Sequence, residues 1–323
     1  MTDDVSEAEV REERHDRGRD AGRPGEVPPR GWKDVALRLQ AQAKEDDVPL
    51  LAAGVAFFGM LALVPALVAL VSVYGLVADP ADVQRSVEDA LQAAPAEVRD
   101  LVSSQLSSIV ESSPSGLRLG VIAGVAVALW STSSGVQHLM GALTRAYGEV
   151  DRRGFVRRRG LALVLTLGLV VVATITLGVV VAPGALDPGT GRSVLSVVRW
   201  VVVAAIALAS LSLLYRWAPD RTVPRLRWAS PGAVLAAVTA VATSVGFSVY
   251  TANFGRYNET YGALGAVVVL LLWLYLTSYA VVLGAELNAE LERQTRVDTT
   301  TGPVRPAGRR GAHAADTLGR STA

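Results

Sequence analysis

Close to its C-terminal end the chain leaves a long apolar stretch through Gly284-Ala-Glu286-Leu-Asn288-Ala-Glu290-Leu-Glu292. In a helix Glu286 and Glu290 lie one turn apart and share a face. A carboxylate at the edge of an apolar slab has two uses. It pairs with a basic residue, here one of the arginines at 216–227, or it takes up a proton or cation and couples that uptake to movement. A second polar run is Trp130-Ser131-Thr-Ser-Ser134-Gly-Val-Gln-His138. Ser131, Ser134 and His138 share a helical face, which suits an inward lining; the hydroxyls could instead bond back to their own helix. A third is the dense segment 250–265, where Asn253, Tyr257 and Asn258 stand among glycines. It reads as an interfacial hairpin or as a loop dipping toward a cavity. Pro65 sits midway along the first apolar run, where it removes a backbone hydrogen bond and should kink a helix. With Asn288 these residues form the candidate cavity set.

Other chemistry lacks its residues. The chain has no cysteine and three histidines, His15, His138 and His313. Metal-dependent hydrolysis needs clustered His, Asp or Glu ligands, and acid–base hydrolysis needs positioned pairs. No phosphate-cradling loop or nucleophile elbow is visible. The sequence predicts no catalytic residue, no metal site and no cofactor, and a protein that is not an enzyme.

The polar residues are set in six apolar runs, at about 50–77, 117–139, 161–181, 194–214, 231–250 and 262–284. A helix needs about 20 residues to cross a hydrocarbon core of ~30 Å. Runs this long, apolar on every face, exclude an ordinary soluble helix. The expected fold is all-α: a polytopic membrane protein with a six-helix domain over 31–293. Basic residues orient it. Lys and Arg number nine in 1–49, six in the second connection, four in the fourth and six in the C-terminal tail, 25 of 31 in all. The positive-inside rule then places both termini in the cytoplasm, which needs an even number of crossings.

The flanks are expected to be disordered cytoplasmic tails, 1–30 and 294–323, poor in large apolar residues. The first 30 residues lack the apolar core of a signal peptide. The stretch 32–44 has the amphipathic pattern of an interfacial helix. The connection 79–112 is acidic, with helical apolar spacing broken by Pro95. It is expected to form short amphipathic helices on the outer face, as a packing cap or a lid. Gly120 and Gly124 form a small-xxx-small pair that permits close helix approach.

Several stretches carry a resemblance. They are Ala52-Ala-Gly-Val-Ala-Phe-Phe-Gly-Met-Leu-Ala-Leu-Val-Pro65, Leu129-Trp-Ser-Thr-Ser-Ser-Gly-Val136 with Ala146-Tyr-Gly-Glu149, Tyr215-Arg-Trp-Ala-Pro-Asp220, and 252–265 running to Asn288. Over about 30–293 the chain resembles the YihY / virulence factor BrkB family of bacterial inner-membrane proteins, once labelled ribonuclease BN. The resemblance implies a six-helix bundle in the bacterial cytoplasmic membrane and a link to export or lipid translocation. This chain departs from the family's common residues at Phe58, Ser134 and Thr144, where Tyr, Arg and Asn are frequent.

The expected function is therefore transport, as a transporter or lipid flippase; the alternative is a non-transporting scaffold or complex subunit. The expected partners are membrane lipids, with an anionic lipid or amphiphile as substrate and no nucleic acid. Basic residues near a membrane surface attract anionic headgroups at ~1 kcal/mol each. Arg152, Arg153, Arg157, Arg158, Arg159, Arg221 and Arg225 are the candidates for that contact.

Overall fold

A computed structural model describes residues 16–74, 99–100, 103–104, 118–181, 192–254 and 263–321. The elements are α1 (Pro29–Glu45), α2 (Val48–Tyr74), α3 (Arg118–Ala146), α4 (Phe155–Val181), α5 (Arg192–Trp217), α6 (Leu226–Phe254), α7 (Ala263–Glu292) and the short α8 (His313–Asp316). Among the described residues there is no strand. One isolated bridge joins Pro224 to Thr300.

The helices α2 to α7 have 26 to 30 residues each. At 1.5 Å per residue each is long enough to cross a hydrocarbon core. Five of them carry a stretch that is also apolar enough, with bounds Val48–Leu67, Phe155–Val180, Val197–Trp217, Leu226–Tyr250 and Val267–Glu292. The helix α3 is as long, with 29 residues. Helix α2 continues unbroken through Pro65.

Burial identifies the medium. Only 11% to 22% of each apolar window lies inside the protein. On α6, Val234, Val238, Val241, Val245 and Val249 form a stripe at helical spacing, and all are exposed. In water such a stripe would cost about 1.5–3 kcal/mol per valine relative to burial. Against lipid it costs nothing, so helices of this kind belong in a membrane.

The long helix α7 is the hub, packed against α6, α2, α3 and α1, while α3–α4, α4–α5 and α5–α6 pack as neighbours. Small residues make the tightest contact. Ala229, Ala233 and Ala236 of α6 join Ala285 and Ala289 of α7 in the core. A Cβ on Gly284 would stand 2.5 Å from the Gly232 carbonyl and 2.5 Å from the Tyr215 hydroxyl, so the crossing requires glycine on both helices.

Helix α1 falls where the amphipathic pattern placed it. Its buried Val35 packs with Trp228, Leu287 and Leu291. It meets α2 at Asp46–Asp47, where Asp47 adopts φ 51°.

The expectation of disordered tails fails for the described parts of both. Arg19 donates to the Gly319 carbonyl (2.8 Å), and Thr295 Oγ1 donates to the Ala21 carbonyl (2.7 Å). Arg225 N donates to Thr299 O, and Thr222 N to Gly311 O. Gln294, Thr295, Asp298, Thr299 and Thr300 are buried. Residues 16–28 and 293–321 thus fold with the 147–154 and 218–225 connections into a cap over one end of the bundle. The composition suggested disorder because these residues bury little apolar surface; they are held by hydrogen bonds and ion pairs instead. The 79–112 segment lies almost wholly outside the described residues.

Candidate functional site

The last two turns of α7 run into the cap, which explains an unusual density of buried polar groups. Glu286, Asn288, Glu290, Glu292 and Gln294 are all at most 1% exposed. Buried charge is costly unless paired, so each group needs a partner.

Three of the four acidic and amide groups on α7 have one. Glu290 accepts from Arg38 Nε of α1 (2.6 Å) and from Arg293 NH1 (2.7 Å). Glu292 accepts from Arg221 NH2 (2.6 Å) and Thr299 Oγ1 (2.7 Å). The Arg221 guanidinium lies 4.6 Å from the centre of the Tyr147 ring, a cation–π contact. Burial works against the Arg221 charge, but the Glu292 carboxylate outweighs it by charge and hydrogen bond, and its pKa ends above the ordinary value. Asn288 ties α7 to α6: its Oδ1 accepts from Gly232 N (2.7 Å) and its Nδ2 donates to the Ala229 carbonyl (3.1 Å). Asn288 is thereby a helix tie, with both its polar atoms engaged on α6.

Glu286 is the exception. Neither carboxylate oxygen has a hydrogen-bond donor among the described residues. The charged groups that act on it are Asp46, Glu290 and Arg293. Asp46 is itself partly open, with its side chain 16% exposed, and accepts from Gln42 Nε2 (2.7 Å). The expected arginine of 216–227 does not reach Glu286: Arg221 goes to Glu292, six residues further along.

The α3 residues separate. Thr132 and Ser133 are the buried hydroxyls, Ser131 and Ser134 are half-buried, and His138 is exposed. His138 stacks on Phe58 of α2 with ring centroids 3.4 Å apart. A common inward face for Ser131, Ser134 and His138 is therefore corrected: the face turned in belongs to Thr132, Ser133 and Val136. Ser133 Oγ donates back to the Trp130 carbonyl (2.7 Å), the backbone-bonded arrangement. Ser134 Oγ accepts from Arg159 of α4 (3.1 Å), whose guanidinium lies 4.0 Å from the Trp130 ring centre. Asn253 lies in the last turn of α6, and Tyr257 and Asn258 lie outside the described residues.

Most of the basic rim is engaged inside the protein. Arg153 pairs with Asp220 (2.9 Å) and donates to the Ala218 carbonyl (3.0 Å). Arg225 donates to the Thr300 carbonyl (3.1 Å), Arg221 is fully enclosed, and Arg159 of α4 is buried against α3. Arg152 and Arg157 stay exposed, and Arg158 is partly exposed beside Asp151 (3.4 Å). Burial resists the Asp220 charge, but the Arg152 N–H and Arg153 guanidinium outweigh it and hold the carboxyl below its usual range.

The partners Arg38, Asp46 and Tyr147 escaped the sequence reading. Each comes from an element far away in the chain, and none sits in a motif with α7. Among the described residues, no group of three or more His, Asp or Glu could hold a metal ion.

Long apolar helices with lipid-facing stripes, closed at one end by a polar cap, define a helical multi-pass membrane protein. The family model described as "Virulence factor BrkB" matches residues 39–309, and the chain belongs to that family. It is 32% identical over 266 residues to the "putative ribonuclease-like protein YfkH" of Bacillus subtilis, covering 76% of this chain and 90% of that protein. It is 28% identical over 258 residues to a "UPF0761 membrane protein" of Alteromonas mediterranea, covering 77% and 85%. A UPF0761 membrane protein of Xanthomonas oryzae is 44% identical over 87 residues, 27% of this chain and 20% of that one. No solved structure matches.

Proposed function

We propose that this protein transports an amphiphile across the bacterial cytoplasmic membrane, as a transporter or lipid flippase, and that Glu286 is its proton-coupling group. In this reading six helices cross the membrane and the cap faces the cytoplasm. The observation that carries it is Glu286: a fully buried carboxyl on the hub helix, without a donor among the described residues, with Asp46 among the charged groups that act on it. A purely structural acid would be paired, as Glu290 and Glu292 are. Proton uptake removes the cost of the buried charge, and proton loss restores it, so the group favours different packings in its two states. Asp46 is the route by which a proton reaches it from water. Arg152 and Arg157 remain available to anionic headgroups.

The test is movement of a labelled anionic lipid in liposomes with and without a proton gradient. The expected result is movement above that of empty vesicles, driven by the gradient and lost in Glu286→Gln. No movement with any of several lipid classes would overturn the proposal.

The second reading is a non-transporting scaffold, and the folded cap favours it, because ordered tails and loops make a defined surface. It expects Glu286→Gln to be silent and deletion of 79–112 to abolish complex formation.

A further inference from the structure

A groove of about 620 Å³ runs between α1, the α1–α2 turn and α7. That volume falls within the range of about 300–1,000 Å³ typical of small-molecule sites. Its walls are apolar: Leu39 and Ala43 of α1, Pro49 of α2, and Tyr279 and Leu283 of α7. Tyr279 and Leu283 belong to the apolar span Val267–Glu292, so the groove lies along a helix bathed in hydrocarbon. An apolar groove there suits an acyl chain, the main apolar group of that medium.

The mouth is charged, and in both signs. Lys44 and Asp47 line the groove. Both are exposed, and neither makes an ion pair or side-chain hydrogen bond among the described residues. They do not pair with each other. The turn fixes their places: Asp47 holds its left-handed backbone while its carbonyl accepts from Leu50 N (2.8 Å) and Leu51 N (3.0 Å).

We propose that this groove holds a resident zwitterionic aminophospholipid, with its phosphate on Lys44 and its ammonium on Asp47. An anionic headgroup would satisfy Lys44 but set a further negative charge against Asp47. A choline headgroup offers Asp47 no N–H. A phosphatidylethanolamine satisfies both ends, and Gln40 at the same mouth offers further hydrogen bonds. The site rests on membrane embedding and not on transport. It is a seat that fixes α1 against α7.

The test is native mass spectrometry of the full chain, released from nanodiscs holding equal phosphatidylethanolamine, phosphatidylcholine and phosphatidylglycerol. Phosphatidylethanolamine should be retained about tenfold over either other lipid, as one charge-assisted hydrogen bond would give. Asp47→Asn, which tolerates the left-handed backbone, should reduce that preference to parity with phosphatidylcholine. Ala36→Trp, at an exposed position on the groove, should remove retained lipid. Glu286→Gln should keep the preference, which separates this site from the transport reading. Equal retention of phosphatidylethanolamine and phosphatidylcholine by the unaltered protein would overturn the proposal without any variant. Enrichment of phosphatidylglycerol, or a preference unchanged in Asp47→Asn, would also overturn it.

Discussion

Charge in an apolar surrounding makes single residues decisive here. Glu292 and Arg221 are both fully enclosed and 2.6 Å apart. Arg221→Ala leaves the Glu292 carboxylate with Thr299 alone, and should cost about 3–5 kcal/mol. Adding Glu292→Gln should recover much of that loss, and thermal unfolding in detergent of the two single variants and the double variant measures the coupling. Glu286→Gln should behave in the opposite way. It removes a titratable carboxyl that has no donor among the described residues, so stability should hold or rise while gradient-driven movement disappears. A drop in stability comparable to that of Arg221→Ala would show that Glu286 is bound by a partner after all.

At the scale of helices, the crossing of α6 and α7 depends on having no side chain at two points. Gly284→Ala would drive a methyl against the Gly232 carbonyl, the Tyr215 hydroxyl and the Ala236 side chain. Overpacking should cost ~1–3 kcal/mol and loosen the Asn288 bridge that depends on the same spacing. The melting temperature of the purified variant checks this; an unchanged value would mean that the helices part freely. Helix α3 ends by the same economy. Its chain turns at Gly148 (φ 69°), with Gly148 N bonded to Arg145 O (2.7 Å) and Glu149 N to Thr144 O (3.0 Å). A Cβ there would meet the His313 ring of the C-terminal segment. One glycine therefore both ends a helix and makes room for the tail.

For the molecule as a whole, the cap should respond to acid. Asp298 is held below the ordinary carboxylate range: burial opposes its charge, but the Arg305 N–H and the hydrogen bonds of Thr300 outweigh burial. Asp220 is depressed in the same direction. A carboxyl depressed in the folded state adds stability that is complete above its unfolded pKa of ~3.9 and is lost as pH falls through the folded value. The cap should resist proteolysis at neutral pH and release the 294–321 segment below about pH 4. Cleavage in that segment that is equally slow at pH 7 and in acid would contradict this. Orientation is open to a direct test, because the chain has no cysteine of its own. A single cysteine at exposed Arg157 or Arg227 should react with an impermeant thiol reagent only in inverted membranes. Reaction in intact cells would reverse the proposed topology.

Much of the architecture was legible in the sequence because lipid imposes a simple rule: long apolar runs must be helices, whatever they pack against. The long described helices follow those runs within several residues, and extend past them mainly at the cap end, where α7 continues from Gly284 to Glu292 through charge. Partnership is another matter. Gly232 and Gly284 lie 52 positions apart, and Arg38 reaches Glu290 across 252. No local pattern marks such pairs, because a hydrogen bond depends on distance in space and not on spacing along the chain. For the same reason the tails looked unstructured: their order comes from carbonyls and carboxylates supplied by remote loops. Composition told which solvent surrounds each helix; the folded arrangement told which buried charges find a partner, and that Glu286 finds no hydrogen-bond donor among the described residues.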